Sequence, residues 1–345
     1  MAQVNVTLIG LNRLNASFGL AMRKLAQVPS ARHQFAVTGS DENRATLDKA
    51  KELGAIDQAI RNMDMAVENA DLVFISMPFA VMRDVLKAIS PVLKRGAVVV
   101  DLSLLKLPAI EWADQYFRKS ADGQPEAFLV GVTPVINPAY LSDPRTDIEA
   151  AQADLFDQGT LVLAPSPMCP PDAVRLVTDL AGLMGLKVHF MDPAEHDGLI
   201  ASMEGLPLLL QVALFRTLST SPGWGDLKRL SNPAFVLATY RLETDDAEDF
   251  GLSIEQNRAN NVRVLESLVQ TLNEMIGVLK TGDQLTIAEL FSDSASKYAK
   301  WQNDRGRNKW GDEGELPRPE VPRIFGGLPG LLPSNKGKKQ DGSRR

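Results

Sequence analysis

Cysteine is almost absent from this 345-residue chain: Cys169 stands alone, which excludes an intramolecular disulfide and suits a reducing compartment. Histidine is nearly as scarce. His33, His189 and His196 are scattered, with no cysteine beside them, so a Cys/His zinc site, or any metal, is not expected. Basic charge is not in excess either, since 37 Lys and Arg face 43 Asp and Glu for a net charge of −6. Nucleic acid and anionic membranes both select a basic face, so neither is an expected partner. No leader pattern is visible: the apolar run at residues 4–9 is only strand length. A cytoplasmic location is the expectation. Apolar residues are plentiful, at 44%, enough for two domains with separate cores.

What is present in the first half is alternation of two hydrophobic periods. Strands are expected at residues 4–9, 34–38, 71–76 and 97–100, with helices at 17–26, 45–53 and 82–93 between them. Gly10, Gly54 and Gly96 punctuate these segments. Further strands are expected at 128–132, 159–164 and 188–190, with a helix at 173–184. Such alternation implies right-handed crossovers and a parallel, Rossmann-type sheet over residues 1–190. From residue 191 to 315 the pattern is helical throughout, and 316–345 is a Pro/Gly-rich and basic tail expected to be partly disordered. The stretch 199–220 is apolar on nearly every side, as for a helix buried by neighbours or by a second subunit, with a kink expected at Pro207. A homodimer through the helical half follows as an expectation.

Ligands of parallel sheets sit at the carboxyl ends of the strands. There the sequence reads Gly10-Leu11-Asn12-Arg13-Leu14-Asn15. A dinucleotide fingerprint needs three glycines, for a tight turn, for approach of the pyrophosphate and for helix packing. Only Gly10 keeps its glycine; Asn12 and Asn15 replace the others. The asparagine amides can donate to phosphate oxygens, and Arg13 with the helix N-terminus can add positive potential. The alternative is a strand-to-helix turn that binds nothing. Asp41 is placed for adenosine ribose hydroxyls, which favours NAD over NADP, although Arg44 works the other way; Asp41 as a mere helix N-cap is the bland alternative. Met77 and Pro78, at the end of another strand, complete the expected cofactor-binding set.

The order of these segments resembles the prephenate/arogenate dehydrogenase family: residues 9–22, 71–78, 96–106, 128–134, 193–214 and 257–290 carry the likeness. The resemblance implies a Rossmann domain followed by an all-helical domain of the 6-phosphogluconate dehydrogenase C-terminal type. It also implies NAD or NADP as cofactor, a small carboxylic acid as substrate, and oxidative decarboxylation in tyrosine biosynthesis. The departures matter as much. Family members read Asp-Val-Gly-Ser-Val-Lys where this chain reads Asp101-Leu102-Ser103-Leu104-Leu105-Lys106, so Ser103 replaces the substrate-orienting serine only by a shift of one residue. Gly-Gly-His-Pro becomes Gly131-Val132-Thr133-Pro134, with Thr133 at the position of the histidine that takes the substrate proton. A threonine hydroxyl is no base near neutral pH; it only passes a hydrogen bond. Ser-His-Leu-Pro becomes Glu204-Gly205-Leu206-Pro207.

Glu204, on an otherwise apolar helix, is a candidate replacement base if its surroundings raise its pKa; a salt bridge to Arg229, Arg241 or a partner is the alternative. Arg241 and Arg229 are candidates for the carboxylate clamp. His196 follows a capping box, Asp192-Pro193-Ala194-Glu195, and reads as a first-turn surface or interdomain residue rather than a base. His33 reads as a solvated loop residue. The basic run Lys297, Lys300, Arg305, Arg307 and Lys309, interleaved with Trp301 and Trp310, reads as a solvated helix end or as a contact over a partner's cofactor site. Two function classes stay open: an NAD(P)-dependent oxidoreductase, and a catalytically degenerate nucleotide-binding homologue with a binding or regulatory role.

Overall fold

The computed structural model describes residues 2–27, 33–244 and 246–308; the 316–345 tail, Lys309, Trp310 and the side chain of His33 lie outside what is described. The first part runs β1 (Ala2–Ile9), α1 (Arg13–Ala26), β2 (His33–Ser40), α2 (Arg44–Leu53), β3 (Gln58–Ala59), α3 (Met63–Val67), β4 (Leu72–Ile75) and α4 (Phe79–Ile89). It continues through β5 (Val98–Asp101), α5 (Lys106–Tyr116), β6 (Phe128–Val135), β7 (Thr160–Pro165), α6 (Pro171–Leu183) and β8 (Lys187–Phe190). Helices follow: α7 (Pro193–Ile200), α8 (Leu206–Ser219), α9 (Trp224–Leu227), α10 (Pro233–Thr239) and α11 (Arg241–Thr244). The last three are α12 (Ala247–Gln256), α13 (Arg258–Thr281) and α14 (Gln284–Gly306).

The strands form one sheet in the order β3-β2-β1-β4-β5-β6-β7-β8. Every central strand is buried on both faces, so strict period-two alternation splits each between two cores. In β4, Leu72 and Phe74 join the core that includes Phe18 and Phe156, while Val73 and Ile75 join that of Val85, Leu86 and Ile89. Phe18 stacks on Phe156 at 4.1 Å and packs on Phe74 at 5.0 Å.

The expectation of a parallel sheet needs one correction: β7 is antiparallel to β6, with Thr133 opposite Val162, and β8 follows β7 in parallel. A parallel return needs a crossover, usually a helix. The connection 136–159 is Pro-interrupted and contains only two single 3₁₀ turns, Pro138–Tyr140 and Ile148–Ala150.

At the kink expected at Pro207 the structure has a π turn just before the proline. The helix from Pro193 to Ser219 stays continuous, and a π turn over Ala201–Gly205 precedes the proline, which sits in the first turn of α8. Proline has no N–H and its ring crowds the preceding turn, and the wider turn absorbs both. Within the single chain this helix is less covered than its composition suggests. Met203 is 70% exposed, Leu199 49% and Leu210 45%. Among the described residues it is the one helix long and apolar enough to cross a membrane, with a mean hydropathy of 1.6.

Two junctions fasten the helices to the sheet region. Asp197 of α7 accepts from the backbone N–H groups of Lys106 and Leu107 at the start of α5, and Asp249 of α12 accepts from Ala80 N in α4. At the far edge, α14 ends on the β6–β7 corner: Arg305 donates to the Ile136 carbonyl and Asn308 to those of Gln158 and Gly159.

Candidate functional site

The strand order reverses between β1 and β4, which places a crevice at Gly10 and Ser76. Gly10 has φ +77°, and a Cβ there would meet the Ser76 carbonyl at 2.4 Å, so only glycine fits this turn. The expected role of Asn12 and Asn15 as free phosphate donors is not what the structure shows. Asn12 is the N-cap of α1: its Oδ1 accepts from Leu14 N and Asn15 N, and its Nδ2 donates to the backbone and hydroxyl oxygens of Ser76. Asn15 is fully buried, and its amide donates to the carbonyls of Ile9 and Gly10 beneath the turn. Arg13 is corrected as well. Its guanidinium donates to Asp143 and Arg145 carbonyls, pairs with Asp143 at 3.4 Å and lies over the Tyr140 ring, while its backbone N–H donates to Thr146 O. Both the charge and that N–H are spent on the 143–147 loop.

Asp41 stands where the sequence puts it, at the carboxyl end of β2. It is not the N-cap of α2, which is Asn43; its Oδ2 accepts from Leu11 N and its Oδ1 from Asn43 N. A carboxylate offers about four lone-pair sites, so half remain for a ribose diol. Arg44 turns to Asp48 on its own helix and is exposed. The residues therefore fit a dinucleotide at the ribose end. At the diphosphate end they fit once the Asn12 side chain yields the N–H groups of Leu14 and Asn15. Asn12→Gly is expected to tighten dinucleotide binding about tenfold, or 1.4 kcal/mol, by baring these groups at the helix N-terminus. Titration calorimetry reads this directly; unchanged or weaker binding would show that the cap does not compete.

A cavity of about 200 Å³ opens beside this crevice, between the carboxyl ends of β4 and β5 and the helices α8, α12 and α13. Met77, Pro78, Ser103, Glu204 and Arg241 all line it. Ser103 is buried, receives its loop geometry from Asp101 Oδ1, and points its hydroxyl to Leu105 O at 3.2 Å. Leu104 also lines the cavity. Glu204 is not the apolar-pocket base the sequence allowed: it is half exposed and pairs with Arg241 Nη1 at 3.2 Å. Arg241 lies over the Phe250 ring at 5.1 Å. Arg229 is excluded from the site, since it is exposed beyond α9 and pairs with Asp226.

Three further residues stand in or behind this region. His196, read as a surface or interdomain residue, lies between the sheet and the helices: it is 3% exposed, with Nε2 2.8 Å from Thr133 Oγ1 and Nδ1 2.9 Å from Asp197 Oδ1. Lys106 is fully buried. Its ammonium donates to the carbonyls of Asp101 and Ser103 and lies 3.6 Å from Asp101 Oδ2, and burial pulls it below its ordinary 10.5 against Asp101 and Asp197. Asn261 presses on Gly205, where an added Cβ would meet its Oδ1 at 2.2 Å. A side chain at 205 would therefore require Asn261 to move. The i, i+4 spacing of Asn257 and Asn261 was a visible signal, since polar residues so spaced share a helix face. No group of three or more potential metal ligands occurs among the described residues.

Comparisons with known proteins agree with the fold. Residues 26–190 match the family model for the prephenate dehydrogenase nucleotide-binding domain. The match begins after the asparagine-bearing turn. A cyclohexadienyl dehydrogenase of Zymomonas mobilis is 24% identical over 215 residues, 62% of this chain and 67% of that protein. A prephenate dehydrogenase of Bacillus subtilis is 24% identical over 212 residues, 61% of this chain but only 52% of that protein. The crystal structure of Aquifex aeolicus prephenate dehydrogenase, in complex with hydroxyphenyl propionate and NAD+, shares the fold. Its TM-score is 0.70 at 21% identity, covering 87% of this chain and 99% of that one. Over residues 26–190, this chain matches the nucleotide-binding domain of the prephenate dehydrogenase family.

Proposed function

We propose that the chain is an NAD(P)-dependent dehydrogenase that oxidises and decarboxylates a cyclohexadienol dicarboxylic acid of the prephenate or arogenate kind, a step of tyrosine biosynthesis. The observation that carries this reading is one cavity, at the strand ends beside the dinucleotide crevice, that holds a guanidinium, Arg241, near a buried hydroxyl, Ser103. The arginine suits a substrate carboxylate, which it would take in exchange for Glu204, and Ser103 retains lone pairs for a substrate hydroxyl. A bound nicotinamide supplies the hydride acceptor. Gly10, Asp41, Met77 and Pro78 would hold the dinucleotide, with Asp41 favouring NAD. Purified protein incubated with prephenate or arogenate and NAD or NADP should generate reduced nicotinamide, seen by absorbance. No turnover with any pairing would remove this assignment.

The catalytically degenerate reading has its own support, in the turn whose N–H groups the chain itself occupies. Turnover separates the two, because a degenerate homologue can still bind the dinucleotide; thermal shift reads the binding itself, with about 2.7 kcal/mol of stabilisation at a hundredfold excess over Kd.

The assembly is proposed to be a soluble, cytoplasmic homodimer. Leu210 and Phe215 of α8 and Leu272 and Ile276 of α13 are exposed large apolar residues, and a second copy would cover them. The N-terminal half of the apolar helix is fixed to the sheet region through His196 and Asp197, which favours this over a membrane span. Sedimentation at micromolar concentration should show a dimer; a monomer throughout would overturn it.

A further inference from the structure

Behind Thr133 a hydrogen-bonded chain runs inward from the end of β6. Thr133 is half buried, two residues beyond Gly131, the last partner of β5, and so lies at the same sheet end as Ser103. Its hydroxyl meets His196 Nε2, and His196 Nδ1 meets Asp197 Oδ1. Asp197 already accepts two backbone N–H bonds at the N-terminus of α5, from Lys106 at 2.8 Å and Leu107 at 2.9 Å. A carboxylate offers only lone pairs and already accepts both of these bonds, so Nδ1 donates to it. A neutral imidazole carries one N–H, which leaves Nε2 as an acceptor and makes the Thr133 hydroxyl the donor. The tautomer is thus imposed by the neighbours, and the Thr133 oxygen turns its lone pairs away from His196.

We infer that Thr133 and His196 form a proton relay that replaces a base at the end of β6: Thr133 touches the substrate hydroxyl, and His196, positioned by Asp197, stores the proton. The inference rests on the dehydrogenase reading above. The substrate hydroxyl proton passes to Thr133 Oγ as the proton of Thr133 passes to His196 Nε2. The C–H electron pair leaves as hydride to the oxidised nicotinamide. The carbon–carbon bond to the ring carboxylate then breaks, CO₂ departs, and its electron pair makes the ring aromatic with a phenolate oxygen. That oxygen takes the stored proton back through Thr133, so the relay returns to its starting state and no proton is released.

His196→Gln keeps an acceptor for Thr133 but cannot hold a proton. It is expected to lower kcat about 100-fold, the scale of general-base catalysis, with KM changed no more than about threefold. Thr133→Val should match that loss and Thr133→Ser should restore most of it. Independently of turnover, the ¹⁵N shifts of the His196 ring, assigned by difference from His196→Gln, should show a protonated Nδ1 and a bare Nε2. If the wild type turns over and His196→Gln keeps its kcat, or if Nε2 carries the proton, the relay falls and the dehydrogenase assignment stands. If the wild type turns over no substrate, both fall together.

Discussion

Lys106→Met is expected to cost about 3–5 kcal/mol of folding stability, because it leaves the Asp101 carboxylate buried and uncompensated. Both side chains are fully buried, and the lysine also satisfies the carbonyls of Asp101 and Ser103, which shape the loop beneath the cavity. Breaking a buried pair from one side is far more damaging than replacing both partners. Adding Asp101→Asn to Lys106→Met should therefore recover a large part of the loss, since an asparagine oxygen can still accept from Ser103 N. Urea midpoints at constant m-value measure this, and a loss below about 1 kcal/mol would contradict it. The pH dependence has a definite sign. Burial lowers the Lys106 ammonium from 10.5, so just below that pH the unfolded chain binds more protons here than the folded one. Stability contributed by this group rises with pH across that window, and the gap between wild type and Lys106→Met should widen as pH approaches 10.5.

Arg241→Ala is expected to raise KM for the carboxylate substrate about 100-fold, or 2.7 kcal/mol, within the range for truncating one partner of a hydrogen-bonded charge pair. The same change at Arg229 should leave KM within about twofold, because an exposed i, i+3 pair contributes little. Steady-state kinetics of both variants decide it. Equal shifts in KM would show that Arg241 is not the clamp.

These expectations depend unevenly on what the sequence made visible. The sheet was legible because buried parallel strands read as short apolar runs and their glycines sit where the chain turns; residues 71–76 and 97–100 needed nothing more. The reversal at β7 was not, because strand direction depends on the connection, and nothing local in residues 136–159 states which way it returns. Asp41 was legible from its place after β2. Arg241 and Arg229 were equivalent in sequence, and only the packing of α8 and α12 brought one of them to the cavity. His196 shows the limit most clearly. The capping box correctly placed it in a first turn, with Asp192 accepting from Ala194 and Glu195. What covers that turn is Thr133, 63 residues earlier, and helix periodicity carries no information about it. Lys106 had the same difficulty, although the apolar run Leu104-Leu105 before it hinted at burial.

The grip of α14 on the β6–β7 corner bears on how this molecule can move. The helical part is held to the sheet region by Asp197 near residue 106, by Asp249 at Ala80, and at its far end by Arg305 and Asn308 near residues 136 and 159. A body fastened at several separated points cannot swing open like a jaw; it can only flex along its long helices. Substrate entry would then proceed by flexing of α7 and α8 about the π turn between them, rather than by wholesale parting of the two halves.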